Sequence, residues 1–295
     1  MSMRKQFVQT VERLLSKDER IVLLLGDIGV FGFRNSFQKH PKRVYNLGIL
    51  EQSTVSLAAG MSMTGLIPVV HTIAPFLVER CIEQLKNDFC YQKLGGNFIS
   101  VGGSYDYAAL GCTHHCPADV GILRNLPGME IVVPGTAEEF DLLFQQGYAN
   151  DRPTYYRLSE RENPCGYDVT FGKAIAVQEG SCATVVAVGP ALKPVLEAVK
   201  GLDVTVLYYT CVVPFDETTL KNYCTSGKIL VCEPYYSGNL TSDIIRAMWP
   251  VKILVDCVGV PLEFLCNYGT AEEHDESIGF TSFNIRKRLE DLIDA

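Results

Sequence analysis

The stretch Tyr45-Asn46-Leu47-Gly48-Ile49-Leu50-Glu51-Gln52 ends an apolar segment at Gly48 and sets a carboxylate, Glu51, at the head of Ser53-Thr54-Val55-Ser56-Leu57-Ala58-Ala59-Gly60-Met61. A helix whose first half is small and apolar is expected to be packed on several sides. A carboxylate at such an entrance is partly desolvated, a setting in which a carboxyl group can share a proton with a ligand nitrogen. The plain structural alternative is an acid that complements the positive end of the helix, where acidic residues are favoured.

Outward from this point, residues 65–72 read as a short buried strand ending in His71-Thr72, and 76–91 as a helix. Residues 97–101 read as a strand leading to the loop Gly111-Cys112-Thr113-His114-His115. Three motifs taken in order, Gly48-Ile49-Leu50-Glu51-Gln52, Gly111-Cys112-Thr113-His114 and Val133-Pro134-Gly135, resemble the pyrimidine-binding domain of the transketolase family of thiamine diphosphate enzymes. The resemblance continues through a second domain and covers nearly the whole chain. It is most like the C-terminal portion of a transketolase supplied as a separate polypeptide.

The resemblance implies a set of roles. Glu51 is expected to hydrogen-bond N1′ of the cofactor's aminopyrimidine and drive the proton transfer that activates it. Phe76 is the candidate for stacking on the pyrimidine, with Ile49 and Gln52 beside it in the cofactor-binding set. His114 is expected to face the donor's oxygens, a task suited to two nitrogens that donate or accept near neutral pH. His71, Asp106 and Arg157 complete the expected substrate-binding group. The family's diphosphate and metal site, a Gly-Asp-Gly segment followed by Asn, has no counterpart here. Thiamine diphosphate is therefore expected to sit between this chain and an N-terminal transketolase-like subunit holding Mg2+ or Ca2+, in an α2β2 heterotetramer.

Three positions depart from the family pattern. Leu110 stands where the loop usually carries an Asp, with Asp106 four residues further back. Glu160 stands where transketolases place a phosphate-binding Arg, flanked by Arg157 and Arg161. Arg80 replaces a frequent second aromatic. A carboxylate at a phosphate subsite repels the dianion, so a standard sugar phosphate is expected to bind poorly, and a ketose-type donor and aldehyde acceptor that are unphosphorylated, differently tethered or deoxygenated are expected to serve better. Two rival readings stay open. One is a β-type subunit of a thiamine-dependent enzyme that decarboxylates a 2-oxo acid such as pyruvate; the other is a non-catalytic partner subunit.

The wider pattern is that of an α/β protein. Apolar runs alternate with helical patterns on both sides of the charged, Pro- and Gly-containing stretch 159–166, which reads as a linker. Two domains are expected, 1–162 and 163–295, each a mainly parallel sheet flanked by helices. Asp119 has the type and position of a helix N-cap. The 295 residues are 47% hydrophobic and 20% charged, with 26 basic against 34 acidic side chains and a formal net charge of −8. This composition is globular, disfavours nucleic-acid binding and contains no stretch of roughly 20 apolar residues that could span a membrane. Eleven cysteines, an odd number, many of them inside strand or helix patterns, read as buried thiols in a reducing cytoplasm. Cys112, His114, His115 and Cys116 are zinc-ligand types but too closely spaced for a usual structural site, so no metal ligands are assigned to this chain. Gly26–Gly32 follows a strand but lacks the dinucleotide spacing.

Overall fold

The computed structural model describes residues 1–295. Its strands are β1 (Ile21–Leu25), β2 (Val44–Asn46), β3 (Ile67–Ile73), β4 (Gly96–Val101), β5 (Glu130–Val132) and β6 (Pro153–Arg157) in the first half. The second half contributes β7 (Ala174–Gln178), β8 (Thr184–Val188), β9 (Thr205–Tyr209), β10 (Cys211–Val213), β11 (Lys228–Tyr236) and β12 (Leu254–Val260). They form a seven-stranded sheet, β10-β5-β6-β4-β3-β1-β2, and a five-stranded sheet, β12-β11-β8-β9-β7. Pairing is parallel throughout except at β10 against β5 and at β7 against β9.

Strand β1 shows why the first sheet lies in the middle of its layers. All five of its residues are buried, as a parallel strand covered on both faces requires. Ile21, Leu23 and Leu25 join one hydrophobic cluster with Phe7 and Phe140. Val22 and Leu24 join the other, with Val55, Ala58 and Ala59 of the helix Glu51–Met63. The period of two thus sends alternate side chains to opposite layers, each worth about 1.5–3 kcal/mol when fully buried.

The motif Val133-Pro134-Gly135 follows β5 and opens the helix Ala137–Gly147. Glu139 Oε2 accepts from the Gly135 amide at 2.8 Å and from the Tyr208 hydroxyl at 2.6 Å, tying this turn to the second half of the chain. A Cβ on residue 135 would collide with Asn163 and Tyr208, so the motif requires glycine.

Several expectations differ from the structure. The helix expected over 76–91 is broken into Ala74–Leu77, Ile82–Gln84 and a wide π-type turn over Leu85–Cys90. Asp119 does not cap: it is the first residue of its helix, and its carboxylate is engaged by Tyr155 and Arg157. Strand β10 crosses from the second half to the edge of the first sheet, a long-range pairing with no local signature. All eleven cysteines are free thiols, and no helix is long and apolar enough to cross a membrane.

Glu233 in β11 is fully buried, with Oε1 bonded to the Gly238 amide at 2.8 Å and Oε2 without a partner. Burial pushes its carboxyl pKa up to about 7 from 4.5. The folded chain therefore keeps this proton after the unfolded chain has lost it. The associated stability is complete below pH 4.5 and disappears as pH rises through about 7; it amounts to roughly 3 kcal/mol. Urea unfolding between pH 5 and 8 should show this decline, and Glu233→Gln should flatten it.

Candidate active site

The Glu51 carboxylate lies at the first position of its helix, and no side chain caps that end. It is 3% exposed and pairs with Arg80, whose Nη1 donates to Oε2 at 2.6 Å. Oε1 accepts no hydrogen bond within the chain. The Arg80 guanidinium lies over the Phe76 ring, 4.3 Å from its centroid. Phe76 meets the His114 ring edge-on at 5.4 Å, and Thr113 Oγ1 lies 3.0 Å from His114 Nδ1. Segments far apart in sequence, around residues 51, 76–80 and 112–114, therefore converge into one group.

Within this chain the helix carrying Glu51 is packed on one side only. Val55, Ala58 and Ala59 are buried, whereas Gln52, Ser53, Ser56, Leu57 and Gly60 are exposed. Ile49 and Leu50 are exposed too. In this chain Ile49 and Gln52 thus belong to an open, partly apolar face beside the Glu51 carboxylate.

A cleft of about 590 Å3 lies beside the loop after β1, lined by Arg4, Lys5, Asp27, Gly29, His71 and Glu160 among others. All strands of this sheet but the edge strand β10 are parallel, and the C-terminal ends of such strands are where open α/β sheets bind ligands. His71, in β3, is fully buried against Phe7, with ring centroids 4.6 Å apart. Its Nδ1 lies 2.9 Å from Ile99 O. A carbonyl only accepts, so Nδ1 carries the proton and Nε2 is a bare acceptor, buried without a partner. Burial lowers the His71 pKa to about 4, which keeps the ring neutral. Burial and the neighbouring Asp106 push the Glu160 carboxyl up, while Arg4 opposes them. Arg4 and Lys5 were not among the sequence candidates, because an N-terminal basic pair on an amphipathic helix carries no local sign of a cleft.

Asp106 and Arg157 fall elsewhere. The Asp106 side chain is 1% exposed; it accepts from Ser159 Oγ at 3.1 Å and the Glu160 amide at 3.0 Å, and faces Arg161. Burial pushes its carboxyl up against the pull of Arg161. The Arg157 guanidinium, also 1% exposed, donates to Asp119 Oδ2 at 2.7 Å, Ser104 Oγ at 2.6 Å and Pro234 O at 3.3 Å. Both side chains bind the chain to itself in this structure, where the expected contact with substrate has no counterpart on the surface. Of the four zinc-type residues, Cys112 is exposed and Cys116 is buried beside Glu79; no three ligating side chains come together anywhere in the chain.

The architecture is thus that of an α/β protein with a buried carboxylate at a helix entrance, an aromatic and a histidine loop beside it, and a second sheet as buttress. Residues 1–164 match the family described as transketolase, pyrimidine binding domain, and the chain belongs to that family. It is 33% identical over 293 residues to the uncharacterized 33.6 kDa protein in the fasciation locus of Rhodococcoides fascians, covering 97% of this chain and 93% of that one. It is 29% identical to one of the subunits of the apulose-4-phosphate transketolase of Phocaeicola vulgatus, over 88% of each. A solved structure described as a split gene transketolase, inactive beta4 tetramer, superposes with a TM-score of 0.88 at 25% identity, over 100% of this chain and 99% of that chain.

Removing one partner of a buried ion pair leaves an uncompensated charge, at a cost of about 3–5 kcal/mol. Arg157→Ala should therefore lower the unfolding free energy by about that amount in urea titrations. A stability close to wild type would return Arg157 to the substrate candidates.

Proposed function

We propose that this chain is the pyrimidine-binding subunit of a two-component, thiamine diphosphate-dependent transketolase-like enzyme. Its reaction is transfer of a two-carbon unit from a ketose-type donor to an aldehyde. The observation that carries the proposal is the Glu51 carboxylate: buried, fixed by one oxygen on Arg80, and open at the other. These residues fit an aminopyrimidine, which needs a carboxyl oxygen for a ring nitrogen and an aromatic side chain for its face, here Phe76.

When bound, thiamine diphosphate supplies the nucleophilic thiazolium carbon. Glu51 holds or yields a proton at the aminopyrimidine nitrogen. His114, on the loop beside Phe76, can donate to or accept from substrate oxygens through its two ring nitrogens. His71 Nε2, a neutral acceptor at the cleft, suits a substrate hydroxyl. Arg4 and Lys5 line the cleft that contains Glu160, so this region is not the purely repulsive subsite that Glu160 alone implies, and an anionic substrate group is compatible with it.

The site is one-sided. The exposed face of Ile49, Leu50 and Leu57 beside Glu51 supports a partner there, an N-terminal subunit that holds the diphosphate and its Mg2+ or Ca2+, in an α2β2 assembly in the cytoplasm. The Phocaeicola relative is named as one subunit of a transketolase and not as the whole enzyme, which supports the same division of labour. Convergence of Glu51, Phe76 and His114 favours a catalytic over a purely scaffolding role.

Glu51→Gln keeps the size of the side chain and removes its proton chemistry. In the reconstituted pair it should slow hydrogen–deuterium exchange at cofactor C2 by about 10²–10⁴-fold. Unchanged exchange would reduce Glu51 to an acid that complements its helix.

A further inference from the structure

Arg80 stands between the two side chains on which the cofactor reading rests. It bonds Glu51 Oε2 at 2.6 Å and covers Phe76 at 4.3 Å. Its side chain is 36% exposed against 3% for Glu51, so the guanidinium reaches inward from the rim to a carboxylate that is already enclosed. The chain around it is shaped for this. The helix from Ala74 stops at Leu77, and the Arg80 amide bonds back to Pro75 O at 3.1 Å in a wide turn.

A carboxylate at the first position of a helix has an easier alternative. The free amides of the first turn and the positive helix end attract it, and folding back onto them would make Glu51 a plain helix-end acid. Glu51 accepts from none of those amides; its one hydrogen bond comes from Arg80.

We propose that Arg80 is a positioning residue for the cofactor site. It draws Glu51 Oε2 away from the helix end, holds Phe76 in fixed relation to it, and leaves Oε1 as the oxygen presented to an aminopyrimidine nitrogen. The proposal rests on the thiamine reading of Glu51 given above. Arginine suits the task because a planar guanidinium donates in its plane while stacking on an aromatic face; the compact ammonium of lysine cannot do both in this geometry. Sequence alone marks Arg80 only as a missing aromatic, since its partner is 29 positions away.

The test uses the chain reconstituted with its diphosphate-binding partner, thiamine diphosphate and Mg2+, and reads calorimetric cofactor affinity and C2 hydrogen–deuterium exchange rather than turnover. Arg80→Met should weaken cofactor binding and slow exchange by about 10–100-fold, the scale of one hydrogen bond to a charged group. Arg80→Lys should recover only part. Methylguanidinium in solution should restore exchange in Arg80→Ala but not in Glu51→Gln, which keeps the result readable if the Met variant folds poorly. The double variant Arg80→Met, Glu51→Gln should be no slower than Glu51→Gln alone, as residues acting through one contact are not additive. Wild-type exchange in Arg80→Met, additive losses in the double variant, or no rescue by methylguanidinium would overturn the proposal. If Glu51→Gln slows exchange and Arg80→Met does not, only the role of Arg80 falls. If Glu51→Gln leaves exchange unchanged, the thiamine reading falls and takes this proposal with it.

Discussion

The guanidinium of Arg157 can be satisfied only if separate segments arrive together. It needs Asp119 from the helix Asp119–Leu123, Ser104 from the loop after β4, and Pro234 O from β11 in the other half of the chain. A buried charge missing one of these partners is costly, by several kcal/mol, so the interior accepts this residue in one arrangement. Ser104, held from two sides, adopts a left-handed backbone with φ 53°. Strain of that kind persists only where the surroundings over-determine it.

The cluster also anchors the loop of the candidate site. Ser104 bridges to Cys116, and these two residues close the base of the loop that carries His114. The base is buried, while at the tip Cys112 and Thr113 are exposed and His114 is half-buried. The second half of the chain braces the same loop from outside. Arg161 bonds Asp275 through Nη1 at 2.8 and 2.9 Å and lies 4.8 Å over the Tyr105 ring. Tyr268 fills the space beside Gly111, where a Cβ would strike its ring. A loop with a rigid base and an open tip can present a histidine to a ligand bound from outside, because the orientation of the tip is set by packing it does not itself supply.

Much of this was legible in the residues, and the rest was hidden for identifiable reasons. Runs such as Ile21-Val22-Leu23-Leu24-Leu25 announce buried parallel strands because burial on both faces leaves no room for polar alternation. The residues Glu51 and His114, which the structure brings together around Arg80 and Phe76, drew notice because an acid before small residues and a histidine in a polar loop each need a reason. The burial of Arg157 and Asp106 was not legible, because their partners lie far away in sequence and leave no local trace. Asp119 looked like a cap for the same reason: its real partner is 38 residues away. The break after Leu77 and the crossing of β10 into the first sheet are decided by tertiary packing, and neither leaves a periodic trace.

The central claim is that the chain provides the pyrimidine side of a cofactor site whose other side lies on a second polypeptide. The direct measurement is calorimetric titration of thiamine diphosphate with Mg2+ into the chain alone, the diphosphate-binding partner alone and the two together. Tight binding of one cofactor per pair is predicted in the mixture, with much weaker binding to either component. Tight, stoichiometric binding by this chain alone would contradict it.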